Sequence, residues 1–322
     1  MLCKKLGVAG IPQPIKERFA SIDETPIFRD LSMNKMTTIV LLITLHLPIQ
    51  TWATPPDSLA VTPIPQRPAQ AITGYQFATK TMGRAGNKRQ KEALKELRSG
   101  NIPAFLRTLQ PVRLIHKPAN QDTLVAILYV MPDYLAIGSD ENFLRIPLTY
   151  SSATAIAREF GFSLPTRKIV DAIYAQATCH LTPEPLPPGV KMRSSEYYLM
   201  HRQKIKTQRQ HEGCQLGELI AGHKKDVVIT NRLRQKPGRI AIYGWQRQNG
   251  RPIQPLSTVH DAEYADYSHG IRLIYQTVWI NGNPQSIFDV LKDPILGPVL
   301  TYEGDIPSPR ALMGIKKIRA NP

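Results

Sequence analysis

A short apolar run near the start decides how much of this chain belongs to the fold. Met33-Asn34-Lys35-Met36 leads into Thr37 to Ile49, and Thr51-Trp52-Ala53 follows. One Lys at the entry, an apolar stretch too short to span a bilayer comfortably, and small residues at 51 and 53 are the parts of a secretory signal peptide. Cleavage after Ala53 is expected, which leaves residues 54–322 to fold. His46 and Pro48 interrupt the run and argue against a membrane anchor or a buried helix. Residues 1–32 carry mixed charge and no apolar run. Because a signal belongs at the very N-terminus, Met33 reads as the true start, and 1–32 as a mis-assigned start or an unstructured extension.

Export governs what the cysteines can do. Cys3 precedes the leader, leaving Cys179 and Cys214. In an oxidising compartment these two can form one disulfide, worth roughly 2 to 4 kcal/mol if the geometry fits. Two separate buried thiols are equally compatible with the sequence, because the Cα separation decides. A Cys-x-x-Cys metal or redox site is absent.

The charge balance points to an anionic partner. The chain has 41 Lys and Arg against 25 Asp and Glu, a formal +16. Removing the six basic and four acidic residues before Thr54 leaves 35 against 21, so the expected mature protein carries +14. Outside the cytoplasm, in the periplasm or beyond, such a protein meets wall polymer, lipopolysaccharide or phospholipid head groups, so an anionic polymer or an anionic membrane surface is the expected partner. A nucleic-acid role would rest on charge alone, because neither zinc-finger spacing nor an RNP-type aromatic motif is present; sequence-specific recognition is not expected. With 42% apolar residues in short runs, the composition excludes a fibrous or wholly disordered chain.

Residues 54–71 contain Pro55, Pro56, Pro63, Pro65 and Pro68 and read as an extended linker. The domain then spans 72–322. Asn87 to Arg98 is expected to form a surface helix stopped at Gly100. Val112 to Ile115, Thr123 to Met131 and Tyr134 to Ile137 read as neighbouring strands. Ser151 or Ser152 is placed to cap a helix through Phe160, and Thr166 one through Ala177. Thr182 to Gly189 holds four prolines and must be irregular, a loop or a divide between two subdomains. A strongly basic helix is expected over 194–210, strands over 225–230, 239–245 and 271–280, a turn at Asn281-Gly282, and a last helix from Pro284 to Leu291. Strands before, between and after helices without strict alternation indicate a single α+β domain, with a mixed or mostly antiparallel sheet and packed helices.

Residues suited to chemistry concentrate in the C-terminal half, in Gly222-His223-Lys224-Lys225-Asp226-Val227-Val228, Ile242-Tyr243-Gly244-Trp245, Pro252-Ile253-Gln254-Pro255-Leu256 and Asp266-Tyr267-Ser268-His269-Gly270. Each is read as lying at the end of a strand, where a rigid sheet holds groups that water and substrate can reach. These segments resemble those of a group of secreted bacterial proteins with no known activity. The resemblance spans roughly Gly74 to Gly304 and implies a secreted, single-domain protein without naming a reaction.

The chemistry the residues suggest is acid–base. Asp266 is positioned to orient His269, with His260 just upstream, beside Asp261 and Glu263, as a second imidazole. Lys225 and Arg272 would stabilise negative charge. Ser268 is a candidate nucleophile, but adjacent residues on a strand face opposite ways, so His269 is badly placed to activate it and no Gly-x-Ser-x-Gly elbow exposes it. Alternatively, three of His223, Asp226, His260, Asp266 and His269 would hold a divalent metal such as zinc. Neither His-Glu-x-x-His nor paired Cys signatures occur, so the spacing is not diagnostic. The simplest alternative is a polar cluster that ties loops together by hydrogen bonds. Lys224-Lys225-Asp226 suits either an anion grip or a solvated strand edge, and Tyr243 and Trp245 suit either sugar stacking or core packing, Tyr243 more the latter. The functional expectation is a secreted hydrolase of an anionic envelope or extracellular polymer; the alternatives are a noncatalytic basic binding module and a structural envelope protein.

Overall fold

A computed structural model describes residues 57–60, 63–119 and 122–315, all within one compact unit that runs from Thr51. The leader at 33–53 and residues 1–32 lie outside the described residues. The elements in chain order are strand β1 (Leu59–Ala60), helices α1 (Gly74–Lys80) and α2 (Gly86–Arg98), strands β2 (Thr108–His116), β3 (Leu124–Val130), β4 (Ala136–Gly138) and β5 (Phe143–Arg145), helix α3 (Tyr150–Glu159), strand β6 (Phe162–Ser163), helix α4 (Arg167–Gln176), strand β7 (Cys179–His180) and helix α5 (Ser195–His211). Strands β8 (Ile220–Ala221) and β9 (Lys225–Val227), helix α6 (Arg232–Gln235), strands β10 (Ile242–Gln246), β11 (Pro252–Ser257), β12 (His269–Gly270), β13 (Ile274–Ile280) and β14 (Asn283–Ser286), and the short helices α7 (Ile287–Lys292), α8 (Gly297–Leu300) and α9 (Pro309–Leu312) complete it.

The protein is α+β. The larger sheet runs β1-β2-β3-β13-β14, with β6 also paired to β13, and all its pairs are antiparallel. The second sheet runs β11-β10-β9-β12, antiparallel except for the parallel β9–β12 pair. Short parallel β7–β8 and antiparallel β4–β5 ladders flank them. Val112, Leu114, Ala126, Leu128 and Val278 alternate inward along the first sheet, as a half-buried antiparallel sheet requires. Helix α4 packs on both β2 and β10 and so joins the two sheets. Its Thr166 cap accepts from the Ile169 backbone N–H, leaving Ile169, Val170 and Ile173 as the buried stripe. No helix among the described residues is long and apolar enough to cross a membrane.

Several expectations are corrected. The described part of 54–71 is packed against the domain instead of extended away from it. Leu59 and Ala60 pair with β2, Ile64 is buried, and the Arg107 guanidinium donates to the Ile64 and Pro65 carbonyls. Gly100, at φ +81°, is what lets this segment lie close: a Cβ there would fall 2.1 Å from the Pro65 carbonyl oxygen. Helix α3 is capped by Thr149, not Ser151 or Ser152; Thr149 Oγ1 accepts from the Ser152 N–H, while Ser151 is bonded to Glu263. Pro252–Leu256, read as lying at the end of a strand, is itself part of β11, whose prolines are tolerated because it is an edge strand whose outer face needs no donor. Residues 284–291 divide between β14 and α7: Asn281 and Gly282 both take positive φ, forming a two-residue hairpin turn that pairs Asn283 to Ser286 with β13 before the chain can coil. The irregular 182–189 segment is a loop within the unit, its Leu186 buried and its N–H donating to Tyr267 Oη.

Cys179 and Cys214 form a disulfide, with Cα atoms 5.8 Å apart, that closes a loop across 35 positions and ties β7 to the end of α5. Replacing both by Ala is expected to lower the unfolding free energy by roughly 2 to 4 kcal/mol in urea melts, because the unfolded chain regains the loop entropy; an unchanged midpoint would show that the loop is already constrained when unfolded.

Candidate functional site

The second sheet positions the candidate residues. In the β9–β12 pair His269 stands in register with Lys225, and in the β9–β10 pair Lys225 stands in register with Gly244. The three positions form one row across three strands, and Gly244 adds no side chain beside the lysine. Lys225 is half-buried and its Nζ sits 5.1 Å over the Trp245 ring. Trp245 itself is buried and takes φ +57°, an unfavourable conformation for a side chain of that size, beside the register shift between β10 and β11.

The loop before β12 supplies the carboxylate and the second imidazole. Asp266 turns the chain onto β12: Oδ1 accepts from the Ser268 N–H and Oγ at 2.8 and 2.6 Å, and Oδ2 accepts from Tyr264 Oη at 3.0 Å. The His260 ring lies parallel to Tyr264 with centroids 4.2 Å apart, and the His269 ring lies 6.3 Å from His260 and 5.7 Å from Tyr264. His269 is buried, yet among the described residues neither of its ring nitrogens has a hydrogen-bond partner. Burial pushes its pKa down, against the pull of the Asp266 charge. His260 is half-buried and lowered for the same reason, with Asp266 opposing and Lys225 adding. Burial acts to raise Asp266, but the His269 charge, the Ser268 hydrogen bonds and Lys225 together hold it below the usual carboxylate range. His260, Asp266, His269 and Lys225 are therefore brought together.

The other candidates are placed elsewhere. His223 Nε2 lies 3.1 Å from Asp133 Oδ1, and Asp133 is also paired with the Arg145 guanidinium; all three are buried. Asp226 accepts from Tyr134 Oη at 2.8 Å. Arg272, expected to stabilise charge at the reacting centre, is almost completely buried: it donates to the Met131 and Ile220 carbonyls, lies 4.4 Å over the Tyr134 ring and 4.0 Å from Asp226, and so anchors strand ends. Ser268 is occupied by Asp266, and among the described residues no imidazole is bonded to its hydroxyl. Lys224 is buried and not a solvated edge, its Nζ meeting the Tyr267 carbonyl and His201 Nδ1. Tyr243 and Trp245 both pack inward, Tyr243 donating to Asp171. His223 and Asp226 are drawn off to Asp133 and Tyr134, and among the described residues no three His, Cys, Asp or Glu side chains form a group that would hold a metal ion.

The buried groups are strongly perturbed. Burial raises the Asp226 carboxyl to about 7, against the opposing charge of Arg272. Burial, with Arg145 adding to it, lowers Lys224 to about 7, and burial with the Lys224 charge lowers its neighbour His201. His223 is pushed down to about 4 by burial, which outweighs the attraction of Asp133. Asp133, Tyr134, Arg145, His201 and Tyr264 escaped the sequence reading. The one available signal was Asp133-Tyr134 set between two apolar strands, where a charged residue must find an internal partner. No protein-family model, curated protein or solved structure matches the chain.

Two outcomes follow from this burial. Asp133→Asn leaves the Arg145 charge buried without its carboxylate, and is expected to cost about 3 to 5 kcal/mol in chemical denaturation; a loss under about 1 kcal/mol would show that water reaches Arg145 instead. His223 takes its proton only after the unfolded chain does, so the stability it contributes is complete above 6.5 and is lost as the pH falls through about 4. Its ring resonances are expected to titrate with a midpoint near 4, and a midpoint at or above 6.5 would contradict its isolation from water.

Proposed function

We propose that this protein is an exported hydrolase that acts on an anionic envelope or extracellular polymer by acid–base chemistry at His260 and His269. The observation that carries the proposal is His269: a buried imidazole whose nitrogens are both unbonded among the described residues, beside a carboxylate, a second imidazole and a lysine. Buried polar atoms normally find partners, and an exception of this kind marks a group kept for use. His260, half-exposed and depressed below its ordinary pKa, is neutral near pH 7 and is suited to take a proton from a water that attacks the polymer bond and, as the imidazolium so formed, to return it to the leaving group as that bond breaks. Asp266, held ionised, stabilises a positive charge arriving on the neighbouring imidazole. Lys225, at the half-open edge of the row, is the cation for developing negative charge, in the role first given to it together with Arg272.

Export is supported by the disulfide, a bond that persists in oxidising compartments, and by the leader-like run at 33–53. The formal charge of +16 favours an anionic substrate. Zinc would need a three-residue donor set drawn from the histidines and aspartates, which the described residues do not assemble, so no step is routed through it. A noncatalytic binding module keeps one observation in its favour, a cavity lined by cations along α5.

The test is release of soluble fragments from purified envelope polymer, followed by mass spectrometry. His260→Asn and His269→Asn are each expected to slow release by about 100-fold or more with folding intact, the scale of a lost general acid or base. Unchanged rates in both variants would refute the proposal. Binding that weakens steeply with salt and survives both substitutions would establish the binding module instead, and stoichiometric zinc by elemental analysis would replace the metal-free chemistry.

A further inference from the structure

We propose that the cavity beside the C-terminal half of α5 is a binding site for a phosphoryl group, separate from the His260–His269 centre and independent of it. The cavity has a volume of about 320 Å³, enough for a small ligand or the end of a larger one. Arg202, Lys206 and Arg209 line it, at spacings of four and three along one helix, and so share a face. Arg145 reaches it from β5 as a fourth cation.

The charges are not balanced from within. Arg145 is committed to Asp133, but among the described residues none of Arg202, Lys206 and Arg209 has a carboxylate within 4.0 Å. Like charges three and four residues apart on a helix repel, and Arg202 and Arg209 are both depressed by burial and by the Arg145 charge. Of the two acids at the cavity, Asp140 already accepts from the Ala104 and Phe105 N–H groups, and Glu141 is exposed at the rim. By contrast Lys204, on the same helix but away from the cavity, is paired with Glu184.

The forks are also held in place before any ligand arrives. Arg202 donates to the Phe143 carbonyl and Asn142 Oδ1, and Arg209 Nη2 donates to the Cys214 carbonyl, next to the disulfide. Arg209 Nε is buried without a partner among the described residues. Preorganised guanidinium groups with an uncompensated charge match a dianionic oxygen cluster better than a single carboxylate, because the phosphoryl group offers more acceptor oxygens and twice the charge.

Calorimetric titration of the full-length protein with inorganic phosphate and with glycerol 3-phosphate tests the site at pH 8. Saturable binding of either is expected, and whichever binds tighter tells whether the phosphoryl group comes free or on a carrier. Lys206→Glu, at an exposed position that folding does not need, and Arg209→Gln are each expected to weaken it by about tenfold or more. Lys88→Glu, the same charge change on exposed α2, is expected to leave it unchanged. The proposal is overturned if neither phosphate binds, if acetate binds as tightly, or if Lys88→Glu weakens binding as much as Lys206→Glu. Because the readout is binding, these results stand whether or not the His260 and His269 substitutions abolish hydrolysis.

Discussion

The parallel pairing of two very short strands, β9 and β12, holds the candidate centre together. Without it the β12 loop would carry Asp266, His260 and Tyr264 away from Lys225, and His269 would be one more loop histidine. Strands of three and two residues contribute little by themselves, so the pairing must be secured from outside. Asp266 does this on one side by taking both donors of Ser268, and the Lys225 N–H donates to the Ser268 carbonyl across the gap. Gly270 does it on the other: a Cβ there would stand 2.5 Å from the Tyr134 ring, so only glycine lets that ring, and the Asp226 beneath it, close against the strand.

The same compactness explains why so many ionisable groups are buried in one region. Arg145, Asp133 and His223 form one chain of contacts, and Tyr134, Asp226 and Arg272 another, the two touching where the Tyr134 ring meets the His223 ring edge-on at 4.9 Å. Each desolvated charge needs a partner, and breaking one strands the next. The network backs the strands that hold the row of Lys225 and His269, and it reaches the α5 cavity through Arg145.

Much of the architecture was legible because it follows from local rules. The cap at Thr166, the apolar stripe of α4, the basic helix after Arg193 and the Asn281-Gly282 hairpin turn all express themselves within a few residues. What failed were features decided by distant contacts. Proline-rich 54–71 reads as a linker until Arg107 and Gly100 are known to hold it. The site was half legible: His260, Asp266 and His269 lie within ten residues of one another, and Lys225 joined them by chemistry. Asp226 and His223 carry equally suitable groups, but pairings across 92 and 90 residues turn them toward Tyr134 and Asp133, and Arg272 lies over Tyr134 from farther still, which sequence spacing does not encode.

A titration of His260 and His269 by NMR, in the wild type and in Asp266→Asn and Lys225→Met, asks most directly whether these residues form one electrostatic site. If they do, removing the carboxylate lowers both midpoints and removing the lysine charge raises both, since each imidazole feels the two groups in those directions. If either histidine titrates without regard to Asp266 and Lys225, the residues are neighbours only, and the acid–base centre does not exist.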